Sequence, residues 1–125
     1  MPREALQPEG MAKPKPPYSP VVVSGETVYT AGQIANDSDG KLIEGGIEEQ
    51  TRRTLENVQT CLAAAGCTLD DVVKVNAYLV DLGDFAGYNE VYKEFFAEPY
   101  PARTSVQAGL PPGVLVEIEA VARRS

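Results

Sequence analysis

Apolar and polar positions along the chain fall into stretches of helical period and stretches of strict alternation. Ile47, Thr51, Leu55, Val58, Leu62 and Ala65 recur at spacings of three and four, which predicts an amphipathic helix from Ile47 to Ala65. Arg52, Arg53, Glu56 and Gln59 fall largely on its other side as a solvated face, and Gly66 fits as the stop. A second helical stripe, Phe85, Tyr88, Val91, Tyr92, Phe95 and Phe96, predicts a helix over Phe85 to Ala97 with its aromatics in the core. Asn89 is the polar residue within that stripe, free to bond backbone or to reach a site. Val21–Ser24 and Thr27–Thr30 read as a hairpin around Gly25-Glu26. Val72 to Val80 reads as a strand, with Val73, Val75, Ala77 and Leu79 on one face. Lys74, Asn76 and Tyr78 share the other face with Val72 and Val80. Residues 3–7 suit a short edge strand, and Asn36-Asp37-Ser38-Asp39-Gly40 is a turn whose spacing does not fit a calcium loop. Gly32 follows a strand, where a bulge or a close approach of a neighbouring strand or a ligand is expected.

The run Pro101 to Arg123 reads as two strands joined by the turn GLPPG. Val114, Val116, Ile118, Ala120 and Ala122 alternate onto one face, leaving Glu117, Glu119 and Arg123 on the other. If the two strands pair directly, with Ala108 opposite Val114, Arg103 lies opposite Glu119 and Ser105 opposite Glu117. An arginine and two carboxylates then share one face, where they are solvated, paired, or lining a site. The element order β-ββ-α-β-α-ββ predicts an α+β fold: a single mixed six-stranded sheet with two helices on one face. The other face, mixing valines with Arg103, Glu117, Glu119, Lys74 and Tyr78, lacks a cover from this chain, which suggests burial by another subunit.

A chain of 125 residues bounds one domain, residues 1–125, with the composition of a globular protein at 43% hydrophobic and 23% charged. The net charge of −7 disfavours a nucleic-acid partner. The absence of histidine removes Ser-His-Asp and Cys-His nucleophile systems and every His-ligated metal site, so acid–base chemistry falls to Glu, Asp, Tyr, Lys or Cys. Cys61 and Cys67 read as small buried thiols of a reducing compartment. No apolar run approaches the ~20 residues of a membrane span, the N-terminal stretch lacks the apolar core of a secretory signal, and the cytoplasm is the expected location. Five prolines between Pro8 and Pro20 predict an extended surface loop. Tyr18 within it either pins the loop to the core or presents a phenol to a pocket; the residues alone favour the first.

PARTSVQAGLPPGVLVEIEA resembles the signature of the Rid (YjgF) family of reactive-intermediate deaminases. PYSPVVVSGETVYTAGQI, ENVQTCLAAAG, VVKVNAYLVDLGDF and YNEVYKEFF stand in the family's order, so the resemblance spans essentially the whole chain. It implies a chorismate-mutase-like fold, a homotrimer whose sheets form a central barrel, and ligand sites in clefts between subunits. It also implies hydrolysis of small 2-imino or enamino acids, of the 2-iminobutanoate and 2-iminopropanoate type, to 2-keto acids and ammonia, with no cofactor and no metal. By position, Arg103 stands at the carboxylate-binding arginine and Glu117 at the glutamate assigned to water activation. Tyr18, Gly32, Asn89 and Ser105 stand at substrate-binding positions, Ser105 where the deaminase subgroup often has cysteine. The segment from Arg103 to Leu110 is one residue shorter than in some members, and Ala31 and Pro17 replace a small hydroxyl residue and a frequent glycine. A guanidinium suits a planar carboxylate, and a carboxylate beside water suits a general base. Burial would raise the Glu117 pKa and a neighbouring arginine would oppose the rise. An endoribonuclease activity attributed to some relatives and a non-catalytic ligand-binding or chaperone-like trimer are the competing readings.

Overall fold

The computed structural model describes residues 2–124. Six strands and two helices follow in the order β1 (Glu4–Leu6), β2 (Val21–Ser24), β3 (Thr27–Thr30), α1 (Ile47–Ala64), β4 (Val72–Leu79), α2 (Phe85–Phe95), β5 (Ala102–Gln107) and β6 (Val116–Arg123). The strands form one mixed sheet in the order β1-β2-β3-β6-β4-β5, with both helices on one face. This is the α+β architecture that the pattern predicts.

Local sequence accounts for the element ends. Helix α1 opens with the Gly46 amide donating to Glu49 Oε1 at 2.8 Å, and Glu48 and Glu49 place negative charge at the positive end of the helix dipole. It closes at Gly66, whose φ of +75° lets the Gly66 and Cys67 amides return to the carbonyls of Ala63 and Leu62. The hairpin β2–β3 has the expected register, Ser24 opposite Thr27 across a two-residue turn. The 36–40 turn is held by Asp37 Oδ1, which accepts from the amides of Asp39 and Lys41. The core between sheet and helices contains Leu55, Val58, Leu62, Val75, Leu79, Val116 and Ile118, all 0–1% exposed. No described helix is long and apolar enough to cross a membrane.

The structure overturns the direct pairing of the last two strands. β4 lies between them: β5 runs parallel to it and β6 antiparallel. The parallel partner is reached through α2, as a crossover requires. The connection from Ala108 to Leu115 then straddles the end of β4, bonding Ala108 N to Leu79 O and Val80 N to Leu115 O at 2.9 and 3.1 Å. Residues directly opposite share a sheet face. Arg103 pairs with Val75, which pairs with Ala120, so all three face the helices. Ser105, Ala77 and Ile118 form the next row on that face. Glu117 pairs with Tyr78, and Glu119 with Asn76, on the opposite face. Arg103 therefore does not share a face with Glu117 and Glu119: relative to the expected register it is displaced by one residue, and a one-residue slip exchanges the faces.

A second correction lies at the start of β4. Val72 pairs with Ala122 and Lys74 with Val121, so an irregularity between them inverts the expected pattern: Val72 is buried and Val73 exposed. Arg53, expected on a solvated face, donates through Nε to the Asn36 carbonyl at 2.9 Å. The helix-free sheet face has no cover from the described residues and exposes Tyr29 and Val106 by 47% and 43%.

Candidate active site

Two concavities divide the candidate residues between them. The larger, of ≈ 720 Å³, is bounded by the proline-rich segment, the 36–40 turn, Tyr18, Gly32 and Glu117. The smaller, of ≈ 340 Å³, lies among Asn89, Tyr92, Lys93, Tyr100, Pro101 and Arg103. They share no residue, so within one chain Arg103 and Glu117 are apart.

Glu117 is placed by a bulge and a glycine. Tyr29 pairs with Val121 and Gln33 bridges Ile118, so three residues, Thr30, Ala31 and Gly32, oppose two, Glu119 and Ala120. Thr30 Oγ1 takes the Ala120 amide at 3.0 Å where the ladder is interrupted. The extra residue carries Gly32 over Glu117: a Cβ at Gly32 would fall 2.1 Å from Glu117 Oε2. Both features expected of this glycine are present, and the approaching object is the Glu117 side chain. Asn57 holds the following segment by donating to the carbonyls of Ile34 and Asn36, each at 2.9 Å. Gln50, 2% exposed, clamps the connection into β6 from Nε2 to Gly113 O and from Leu115 N to its own Oε1, both at 2.9 Å. Neither role was read from the sequence, although buried amides beside an apolar stripe are a signal for it, since buried polar groups find partners.

The two carboxylates on the open face differ. Glu119 accepts from Asn76 Nδ2 and Tyr78 OH, each at 3.3 Å. Glu117 has no hydrogen-bond or ion-pair partner among the described residues. Partial burial pushes the Glu117 carboxyl above the ordinary glutamate range, and the Glu119 charge pushes it the same way. Arg103, on the other face, does not oppose the rise. Tyr18, 53% exposed, reaches the same concavity from the loop.

On the helix face, Arg103 Nη1 donates to Asn89 Oδ1 at 2.8 Å. Its Cζ lies over the rings of Tyr92, Tyr88 and Phe85, at 4.6, 5.2 and 5.6 Å from their centroids. Tyr88, Val91, Tyr92 and Phe96 are core, as expected, whereas Phe85 is 37% exposed at the start of the helix; the stripe is also the seat of this arginine, which its periodicity alone does not reveal. Ser105 Oγ lies 3.1 Å from Tyr88 OH. Burial raises the Tyr88 phenol, while Ser105 and Arg103 draw it back. Burial pushes Tyr92 up to about 12, so both phenols are neutral at pH 7. Arg103 forms no ion pair with a carboxylate among the described residues. Cys61 and Cys67 are free and buried, and burial lifts the Cys61 thiol to about 12, far from a reactive thiolate. No cluster of three His, Cys, Asp or Glu side chains able to hold a metal occurs among the described residues.

The chain is thus an α+β domain of one sheet with two helices on one side, with a guanidinium and a carboxylate that each line a separate cleft without an ion-pair partner among the described residues. The family described as Endoribonuclease L-PSP matches residues 10–124. Over 124 residues the chain is 47% identical to a RutC family protein of Pyrococcus abyssi, covering 98% of each. Over 108 residues it is 45% identical to a human protein named 2-iminobutanoate/2-iminopropanoate deaminase, covering 85% of this chain and 79% of that one. The crystal structure of E. coli TdcF with bound serine matches with a TM-score of 0.89 at 38% identity, covering 98% of this chain and 99% of that one. The chain belongs to the Rid (YjgF/RidA/RutC) family.

Proposed function

We propose that the protein is a hydrolytic deaminase of small 2-imino and enamino acids, of the 2-iminobutanoate and 2-iminopropanoate type. Its site is assembled between subunits of a homotrimer whose helix-free sheet faces pack into a central barrel. Arg103, Asn89 and Ser105 of one subunit meet Tyr18, Gly32 and Glu117 of the next. The observation that carries this reading is the pair of opposite charges without ion-pair partners held apart within one chain. Each lines a cleft and has no ion-pair partner among the described residues. A second subunit brings them together.

Arg103 grips the substrate carboxylate through two parallel, charge-assisted N–H bonds, and this fixes the imine carbon in the cleft. Glu117, unpartnered and with its basicity raised by burial, orients a water and takes its proton as the water oxygen bonds to the imine carbon. The C=N pair moves to nitrogen, which takes the first water proton back from Glu117 and so regenerates the base. The second water proton then passes to the same nitrogen, the C–N bond breaks, and the C=O bond forms. The products are a 2-keto acid and ammonia. The imine carbon is electrophilic from the outset, so a positioned base and a bound carboxylate suffice.

Ammonia release from 2-iminobutanoate generated in situ tests the activity, with Arg103→Ala reduced to the buffer rate. No acceleration by the wild type over buffer rejects the reading. The composite site is tested by co-expressing Arg103→Ala and Glu117→Gln chains. Each is inactive alone, and random mixing restores about a quarter of the wild-type rate if each site draws on two subunits. No recovery places both residues in one subunit's site.

The matching family's description names a second reading, endoribonuclease. The net charge of −7 and the absence of histidine weigh against it. RNA cleavage that persists in Arg103→Ala after rigorous purification is the result that favours it.

A further inference from the structure

We propose that the aromatic side chains of α2, Tyr92 foremost, are positioning residues that hold the Arg103 guanidinium by its faces and so leave the in-plane donors that Asn89 does not take free for a ligand carboxylate. The proposal rests on the reading of Arg103 as the carboxylate anchor.

Phe85, Tyr88 and Tyr92 recur at helical spacing, and neighbouring rings pack tilted at 5.8 and 5.7 Å between centroids. Together they form one aromatic wall beneath the β5 edge of the sheet, and the guanidinium carbon lies 4.6 Å from the nearest centroid, that of Tyr92. A partly buried cation needs compensation, and the common solution is a carboxylate partner. Such a partner uses the same in-plane N–H edges that a substrate carboxylate needs. Aromatic faces compensate differently, because the ring quadrupole attracts the cation from above its plane and neutralises none of its charge. Asn89 is the complement: a neutral oxygen at 2.8 Å from Nη1, fixing rotation in the plane. Both phenols stay protonated, because burial holds Tyr92 near 12 and raises Tyr88, so neither becomes an anion that would quench the arginine. The wall therefore presents a charged, oriented and unneutralised guanidinium. The ligand class that follows is a planar carboxylate held edge-on, and Lys at position 103 would lose both the stacking and the fork.

The test is calorimetric titration of the full-length protein with 2-ketobutanoate, which carries the carboxylate but does not react, alongside steady-state deamination. Tyr92→Leu keeps an apolar side chain but removes the π face. Its Kd and KM rise about tenfold with kcat little changed, the scale of a partly desolvated cation–π contact. Tyr92→Phe keeps the face and stays within about twofold of wild type, a rescue that a purely space-filling role does not require. A folded Tyr92→Leu that binds as wild type does, or a Tyr92→Phe as weak as Tyr92→Leu, overturns the proposal. Should Tyr92→Leu fail to fold, Phe85→Leu at the half-exposed start of α2 serves instead: a Kd raised about threefold supports the seat and an unchanged Kd overturns it. Arg103→Ala in the same titration separates the two readings. If it binds the keto acid as tightly as wild type, the carboxylate anchor and its seat both fall. If it binds weakly while Tyr92→Leu does not, the seat alone falls.

Discussion

The clefts holding Arg103 and Glu117 treat their charges in opposite ways. Around Arg103 the protein supplies three ring faces and a neutral amide oxygen, so the guanidinium is held without being neutralised. No described residue donates a hydrogen bond to Glu117, and the neighbouring Glu119 makes ionisation harder. In the proposed reaction Arg103 serves binding, where a fixed orientation and a full charge matter. In the same reaction Glu117 serves proton transfer, where a raised pKa brings a carboxylate closer to the working range of a base. Glu119, two residues away, is the internal control. It shares the sheet face and the chemistry, but Asn76 and Tyr78 satisfy it. Its role is structural.

The largest expected effect separates these two glutamates. Glu117→Gln lowers kcat by about 10²–10⁴, the range for loss of a general base, whereas Glu119→Gln keeps one acceptor oxygen for Asn76, lets its amide donate to the Tyr78 hydroxyl, and stays within about tenfold of wild type. Equal losses in ammonia release would erase the distinction. Gly32→Ala is next. Its Cβ falls 2.1 Å from Glu117 Oε2, and the end of a side chain can swing away. Stability therefore drops by only ~1 kcal/mol while kcat falls more than tenfold, because the base is displaced. A variant with full activity would show that the position of Glu117 does not matter.

The smallest effect is a pH-dependent one. The Glu117 pKa is raised in the folded chain, so the native state binds the proton more tightly than the unfolded state does. The group's favourable contribution is full below the unfolded value of about 4.3 and is lost as pH rises through the folded value. Glu117→Gln should therefore gain slightly in melting temperature relative to wild type at pH 7, and the gap should close below about pH 4. In activity, the acid limb of the kcat/KM profile should lie above the ordinary glutamate pKa. A limb at or below that value would remove Glu117 as the base.

Much of this molecule is legible in local sequence. The period of α1, its glycine stop, the β2–β3 hairpin and the turn at Asp37 each depend on contacts within a few residues. The alternation within β5 and β6 is also correct: Glu117 and Glu119 oppose the buried row of Val116, Ile118 and Ala120. The two faces of β5 are likewise separated correctly, but nothing local says which one meets the helices. The eight-residue link Ala108–Leu115 is equally compatible with a hairpin and with a span across β4. Burial, through the parallel pairing with β4 and the clamp from Gln50, selects the span. That selection puts Arg103 against the aromatics of α2 and leaves Glu117 on the far side.

The sequence by itself determined the kinds of element, their order and the chemical groups available for catalysis, because periodicity, caps and turns are properties of neighbouring residues. Tertiary structure alone decided which sheet face each charge occupies, which carboxylate is left without a donor, and that the arginine rests on rings. Those outcomes depend on strand register and on residues brought together from distant parts of the chain, and a displacement of one residue in register reverses them.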